Sequence, residues 1–103
     1  MGPRRRRVRW GSSAHRQLDE ATAYVAQDPP QNAVELLERL LAAAESLDEL
    51  AERGPIVPEV GDPQIRELYV QPYRLIYFVG DAVVEILGVL HERRDFDRWE
   101  RPT

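Results

Sequence analysis

The chain has 103 residues, 43% of them hydrophobic and 31% charged, enough for one hydrophobic core and too few for two, so a single domain spanning 1–103 is expected. There is no cysteine, and His15 and His91 are too few for a histidine-rich metal cluster, so disulfides, thiolate zinc sites and cysteine nucleophiles are excluded and neither metal nor cofactor is expected. The net charge of −4 is segregated, with +5 on residues 1–9, −8 on 10–62 and −1 on 63–103, and all fourteen cations are Arg, which argues against a uniformly basic nucleic-acid binder.

Residues 1–5 read as a basic tail. The start MGPRRRRVRW is followed by no apolar export-signal region, and no apolar run approaches the ~20 residues of a membrane helix, so a soluble cytoplasmic protein without membrane contact is expected. The Arg4–Arg7 run is either a solvated tail or a contact for nucleic acid or an acidic partner. Arg6 to Trp10 predicts a short strand ending at Gly11. Ser12 or Ser13 is placed to cap a helix whose apolar stripe is Ala14, Leu18, Ala21 and Val25.

Asp28-Pro29-Pro30-Gln31 stops that helix and starts the next, because proline fits only the first helical turn. In the second helix Ala33, Leu37, Leu40, Ala44, Leu47 and Ala51 form one apolar row, widened by Leu36, Leu41, Ala43 and Leu50. Arg53-Gly54-Pro55 predicts its end, with Gly54 as a left-handed cap. Ile56 to Pro63 is an irregular connector, after which the period changes. Ile65 to Val70, Tyr73 to Val79 and Ala82 to Leu90 predict strands, the last two joined by a turn at Gly80-Asp81. The expected fold is α+β, in the order β-α-α-β-β-β, a helical hairpin on a mostly antiparallel four-stranded sheet.

That order, the run Arg66-Glu67-Leu68-Tyr69-Val70-Gln71-Pro72-Tyr73-Arg74-Leu75-Ile76-Tyr77 and the close Val89-Leu90-His91-Glu92-Arg93-Arg94-Asp95-Phe96 resemble the RelE/ParE superfamily of type II toxin-antitoxin toxins, over about residues 6 to 97. The resemblance implies a growth inhibitor of a plasmid-stabilisation module, held silent by a cognate antitoxin, in a possible hetero-oligomer with it. RelE-like members are ribosome-dependent mRNA endoribonucleases, whereas ParE-like members poison DNA gyrase without a known catalytic residue of their own. The ending is more similar to the ParE branch. A non-toxic interaction module of the same fold is a third reading.

A ribonuclease would need a base, an acid and cations at the phosphorus. His91 is the only conventional acid or base candidate of the sheet half, with Arg66 and Arg74 on consecutive strands as its cationic partners. Arg93, Arg94, Tyr77 and Phe96 are the candidates for target contact, and with the catalytic set the arginines are expected to meet at one end of the sheet. Beside these stand blander roles. His91 can be a hydrogen-bonded surface residue, Tyr69, Tyr73 and Tyr77 core-edge aromatics, and Arg66 and Arg74 partners of Glu67, Glu85 or Glu92 in ordinary ion pairs.

The apolar band of the second helix is wider than packing on one sheet requires, so Leu36, Leu37, Leu41 and Leu50 are the candidate antitoxin contacts, with hairpin packing as the alternative. Because the helical half carries −8, such a partner would bring Arg or Lys to it.

Overall fold

Two helices cover one face of a four-stranded sheet and an irregular loop covers the other, so the sheet carries two separate cores. The computed structural model describes residues 5–26 and 29–92. Strand β1 is Arg7–Trp10, helix α1 Ser12–Val25, helix α2 Pro30–Glu45, and strands β2, β3 and β4 are Ile65–Val70, Tyr73–Val79 and Val83–His91. The expected β-α-α-β-β-β order is what the chain forms. Across the sheet the strands run β1-β4-β3-β2, antiparallel except for β1, which lies parallel to β4 with Arg7 opposite Val83 and Trp10 opposite Ile86.

Strand periodicity decides which residues meet which layer. Leu75, Tyr77, Val84 and Ile86 face the helices, where they meet Ala14 and Leu18 of α1 and Leu36, Leu40 and Ala44 of α2. Burying each of these leucines stabilises the fold by about 1.5–3 kcal/mol. Ile65, Ile76, Leu87 and Leu90 face the opposite side and pack on Val57 of the loop. A bulge at Leu87 on β4 shifts the pairing between Ile76 and Tyr77, so that Ile86 faces the helices while Leu87 joins Ile76 on the loop side. Past the end of β1, Gln17 of α1 reaches the sheet instead, its Oε1 accepting from the Val89 amide at 2.9 Å.

Three local expectations are corrected. Gly11 is the N-cap of α1, and neither Ser12 nor Ser13 caps with its hydroxyl, because both already lie within the helix. α2 ends at Glu45, eight residues before Arg53, and passes into a single 3-10 turn, Ser46–Asp48. There the Ser46 hydroxyl donates to the Ala43 carbonyl at 2.6 Å and accepts from Arg53 Nη1 at 2.8 Å, so the side chain competes for a carbonyl that continued helix would use. Gly54 is not a left-handed cap. Among the described residues only Gly61 has a positive φ, 73°. What position 54 requires is close approach, since a Cβ there would lie 2.2 Å from the Glu67 carbonyl oxygen and 2.7 Å from the Tyr77 hydroxyl.

The Gly54 amide donates to that hydroxyl at 3.1 Å, which ties the end of the helical region to the middle of β3. Burial pushes the Tyr77 phenol above its ordinary value of 10.0. A folded-state value raised above the unfolded one means the associated stability is intact below pH 10 and is lost as pH rises through the folded value. Tyr77→Phe is therefore expected to cost about 1–2 kcal/mol at neutral pH, by stranding the Gly54 amide, and to reduce the alkaline loss of stability; urea midpoints at pH 7 and above pH 10 measure both. No helix among the described residues is long and apolar enough to cross a membrane.

Candidate functional site

Arg74 points away from the helices, into the small core under the loop, and only 9% of the residue is exposed. Its Nη1 and Nη2 donate to the two carboxylate oxygens of Glu59 at 2.9 Å each, and its Nε and Nη2 donate to those of Glu67 at 2.8 and 2.9 Å. Two forks on one guanidinium account for its charge and fasten the 55–64 loop to the sheet. The Arg74 hydrogen bond draws the Glu59 carboxyl below its ordinary value of 4.5, and the two carboxylates hold the guanidinium above the usual arginine range. Of the ion-pair roles open to Arg74, the one with Glu67 is present, and Glu59 is the partner that sequence reasoning missed, because a loop contact fifteen residues away leaves no periodic trace.

Arg66 belongs to the other face. It stands opposite Tyr77 on β3, and its guanidinium is held by main-chain oxygens: Nε donates to Pro63 at 3.0 Å, and Nη1 to Gly54 at 3.0 Å and Glu52 at 3.4 Å. His91, half-buried at the end of β4, stands opposite Tyr73 and meets its ring edge to face, with centroids 5.6 Å apart. Opposite residues of an antiparallel pair share a face, so His91 and Arg66 are both on the helix side. They are separated by four residues, roughly 13 Å, along β3 and by two strand spacings, roughly 10 Å, across the sheet. The expected meeting of His91, Arg66 and Arg74 at one end of the sheet does not occur.

Tyr77, a candidate for target contact, is 0% exposed with its hydroxyl engaged, so its ring is a core residue and offers no surface for stacking. Arg93, Arg94 and Phe96 lie outside the described residues. At the start of the chain, Arg5, assigned to the tail, forms a 2.8 Å ion pair with Glu49, and Arg7 already belongs to β1.

The four leucines proposed for a partner surface separate by depth. Leu36 faces the sheet and is core, Leu37 is half-buried, and Leu41 and Leu50 are exposed. Leu50 lies beyond α2, in the turn leading to Gly54. With Leu37 and Leu41, Val34 completes an i, i+3, i+7 ridge on α2, more than half of Val34 being exposed, and Glu38 and Glu45 border it. The position of Val34 one helical repeat before Leu41 is the signal that would have found it.

Residues 8–96 match the family model described as the ParE toxin of type II toxin-antitoxin systems, parDE. The chain belongs to this ParE toxin family. It is 33% identical to the putative toxin Y4kP of Sinorhizobium fredii, over 89% of this chain and 94% of that one. It is 35% identical to Toxin RelE2 of Caulobacter vibrioides, over 84% of this chain and 96% of that one. Among solved structures, the chromosomal ParDE system of P. aeruginosa superposes with a TM-score of 0.70 at 19% identity, covering 84% of this chain and 95% of that one. The toxin-antitoxin complex RelBE2 of Mycobacterium tuberculosis gives 0.60 at 24% identity, covering 85% and 99%. At those identities the likeness is one of fold. For this ParE-family chain, as for those structures, the fold is a two-helix layer on a four-stranded, mostly antiparallel sheet.

Proposed function

We propose that this chain is a growth-inhibiting toxin that acts by stoichiometric binding to DNA gyrase, without cutting RNA, and that a cognate antitoxin silences it. The observation that carries this reading is the dispersal of the candidate catalytic groups. Arg74 is neutralised by two carboxylates on one face, while Arg66 and His91 stand far apart on the other. An in-line phosphoryl transfer needs its base, acid and cations within hydrogen-bond reach of one phosphate.

Expression of the chain is expected to arrest growth and to accumulate gyrase-linked DNA breaks. His91→Ala is expected to arrest growth as strongly as the wild type, whereas a nuclease using His91 as general acid or base would lose about a hundredfold or more of its activity. Ribosome-dependent transcript ends that vanish in His91→Ala would overturn the gyrase reading. In favour of that nuclease reading stand the 35% identity to Toxin RelE2 and the position of His91 at a strand end. No growth arrest at all would mark a non-toxic module of the same fold.

The antitoxin is expected to lay an amphipathic segment along the Val34, Leu37 and Leu41 ridge and to set Arg or Lys against Glu38 and Glu45. Leu41→Asp is then expected to weaken the complex by about 30-fold, with a melting temperature close to wild type because the side chain is exposed. Calorimetric titration of the antitoxin, repeated at rising salt, measures both the ridge and its charged border.

A further inference from the structure

Most described arginines that lie near a carboxylate use it: Arg5, Arg9, Arg16 and Arg74 are all ion-paired. Arg6 and Arg66 are different. Each is half-buried, each is held by main-chain carbonyl oxygens, and neither has a carboxylate within 4 Å among the described residues. Arg6 donates through Nε to the Gly80 oxygen at 2.8 Å, and its main-chain amide is anchored on the Asp48 oxygen at 2.7 Å. Arg66 is braced by three carbonyls through Nε and Nη1. Carbonyl oxygens fix a guanidinium in place without cancelling its charge.

The two side chains line one cavity of about 280 Å³ at the end of the sheet, beside the β3–β4 turn. Gln64, another lining residue, has its amide held by the Val79 oxygen at 3.3 Å. Both Nη atoms of Arg6 and Nη2 of Arg66 are not used in these bonds, so the two side chains that line the cavity keep one free fork, that of Arg6, and one further guanidinium nitrogen, that of Arg66. Glu52 and Asp81 also line it, yet neither carboxylate reaches either guanidinium. The volume lies just below the range of small-molecule pockets, which suits a single anionic group whose remainder lies outside.

We propose that Arg6 and Arg66 form a phosphate-binding site, two phosphate oxygens taken by the free fork of Arg6 and a third by Nη2 of Arg66. A tetrahedral phosphate that fills the Arg6 fork with two oxygens still has another for Arg66 and cancels the charge that the carbonyls leave in place, whereas a carboxylate has only two oxygens, in one plane, to share between the two side chains. Glu52 and Asp81 oppose the anion and set its affinity to a modest value. The proposal is independent of whether gyrase is the target.

The test is a titration of the full-length chain with inorganic phosphate at constant ionic strength, following the arginine Nε–Hε resonances by NMR. Saturable shifts confined to Arg6 and Arg66 are expected. Arg6→Gln, which leaves the carbonyl brace of Arg66 intact, is expected to weaken binding about tenfold, and Asp81→Asn, on the exposed turn, to tighten it several-fold. Parallel titrations with a short single-stranded DNA, a short RNA and a mononucleotide identify the source of the phosphate, and saturation by any of these at the same resonances supports the site. Equal shifts with acetate, uniform shifts of all arginines, an unchanged response in Arg6→Gln or no saturation would each overturn it.

Discussion

Gly54→Ala is expected to destabilise the chain by about 3 kcal/mol, near the upper end for forcing atoms into packed structure. The added methyl would meet a main-chain oxygen, that of Glu67, at 2.2 Å, and the buried Tyr77 hydroxyl at 2.7 Å, and neither can swing aside as an exposed side chain would. Relief requires the 54–57 segment to lift from β2. That movement breaks the Glu67 amide bond to the Pro55 oxygen, 3.0 Å, the Val57 amide bond to the Ile65 oxygen, 3.0 Å, and the isolated bridge between Ile56 and Arg66. A fall in melting temperature of roughly 12 °C or more, measured by circular dichroism, is the expected readout for a domain of this size. A melting temperature within 2–3 °C of wild type, about half a kcal/mol, would show that the segment is not held where the structure has it.

The second large effect is expected at Arg74. Arg74→Ala leaves the mostly buried Glu67 without its partner and releases Glu59, at an expected cost of about 3 kcal/mol, the lower end for breaking a buried ion pair because solvent reaches Glu67 and screens the half-exposed Glu59. Glu59→Gln alone is expected to cost under about 1 kcal/mol. The pH dependence follows from Glu59, whose folded-state value lies below the ordinary 4.5 because of the Arg74 hydrogen bond. A depressed carboxyl contributes stability that is complete above the unfolded value and is lost as pH falls through the folded one. The wild type is therefore expected to lose stability below pH 4.5, and Glu59→Gln to show a shallower acid loss; urea midpoints from pH 7 to pH 3 measure the difference.

Local patterns were legible where one face of an element is buried. The stripe Ala14, Leu18 and Ala21, the proline corner and the three late strands each carry a period or a stop signal, and the structure places them within a residue or two of expectation. The end of α2 was not legible, because the choice of Ser46 to bond Ala43 depends on Arg53 arriving from the next turn. The faces of Arg66 and Arg74 were in principle readable from parity. They are eight residues apart across a turn, and the register Arg66–Tyr77 against Tyr69–Arg74 sends them to opposite sides. Spacing to the turn centre, and not proximity in sequence, decides the face. For the partner surface, a band of leucines wider than its sheet does not by itself say which member is deepest, and Leu36 proved to be core while Val34 proved exposed.

The parallel pairing of β1 with β4 has a consequence for how the chain matures. Arg7 waits for Val83, so among the described residues β1 has no strand beside it until β4 has been made. The helical hairpin can assemble early from local contacts, but the sheet that shelters its leucines is completed only once β4 has followed. Throughout that interval the growing polypeptide has helices without the floor they rest on, so the surface they present takes its finished shape only when its two most distant strands have met.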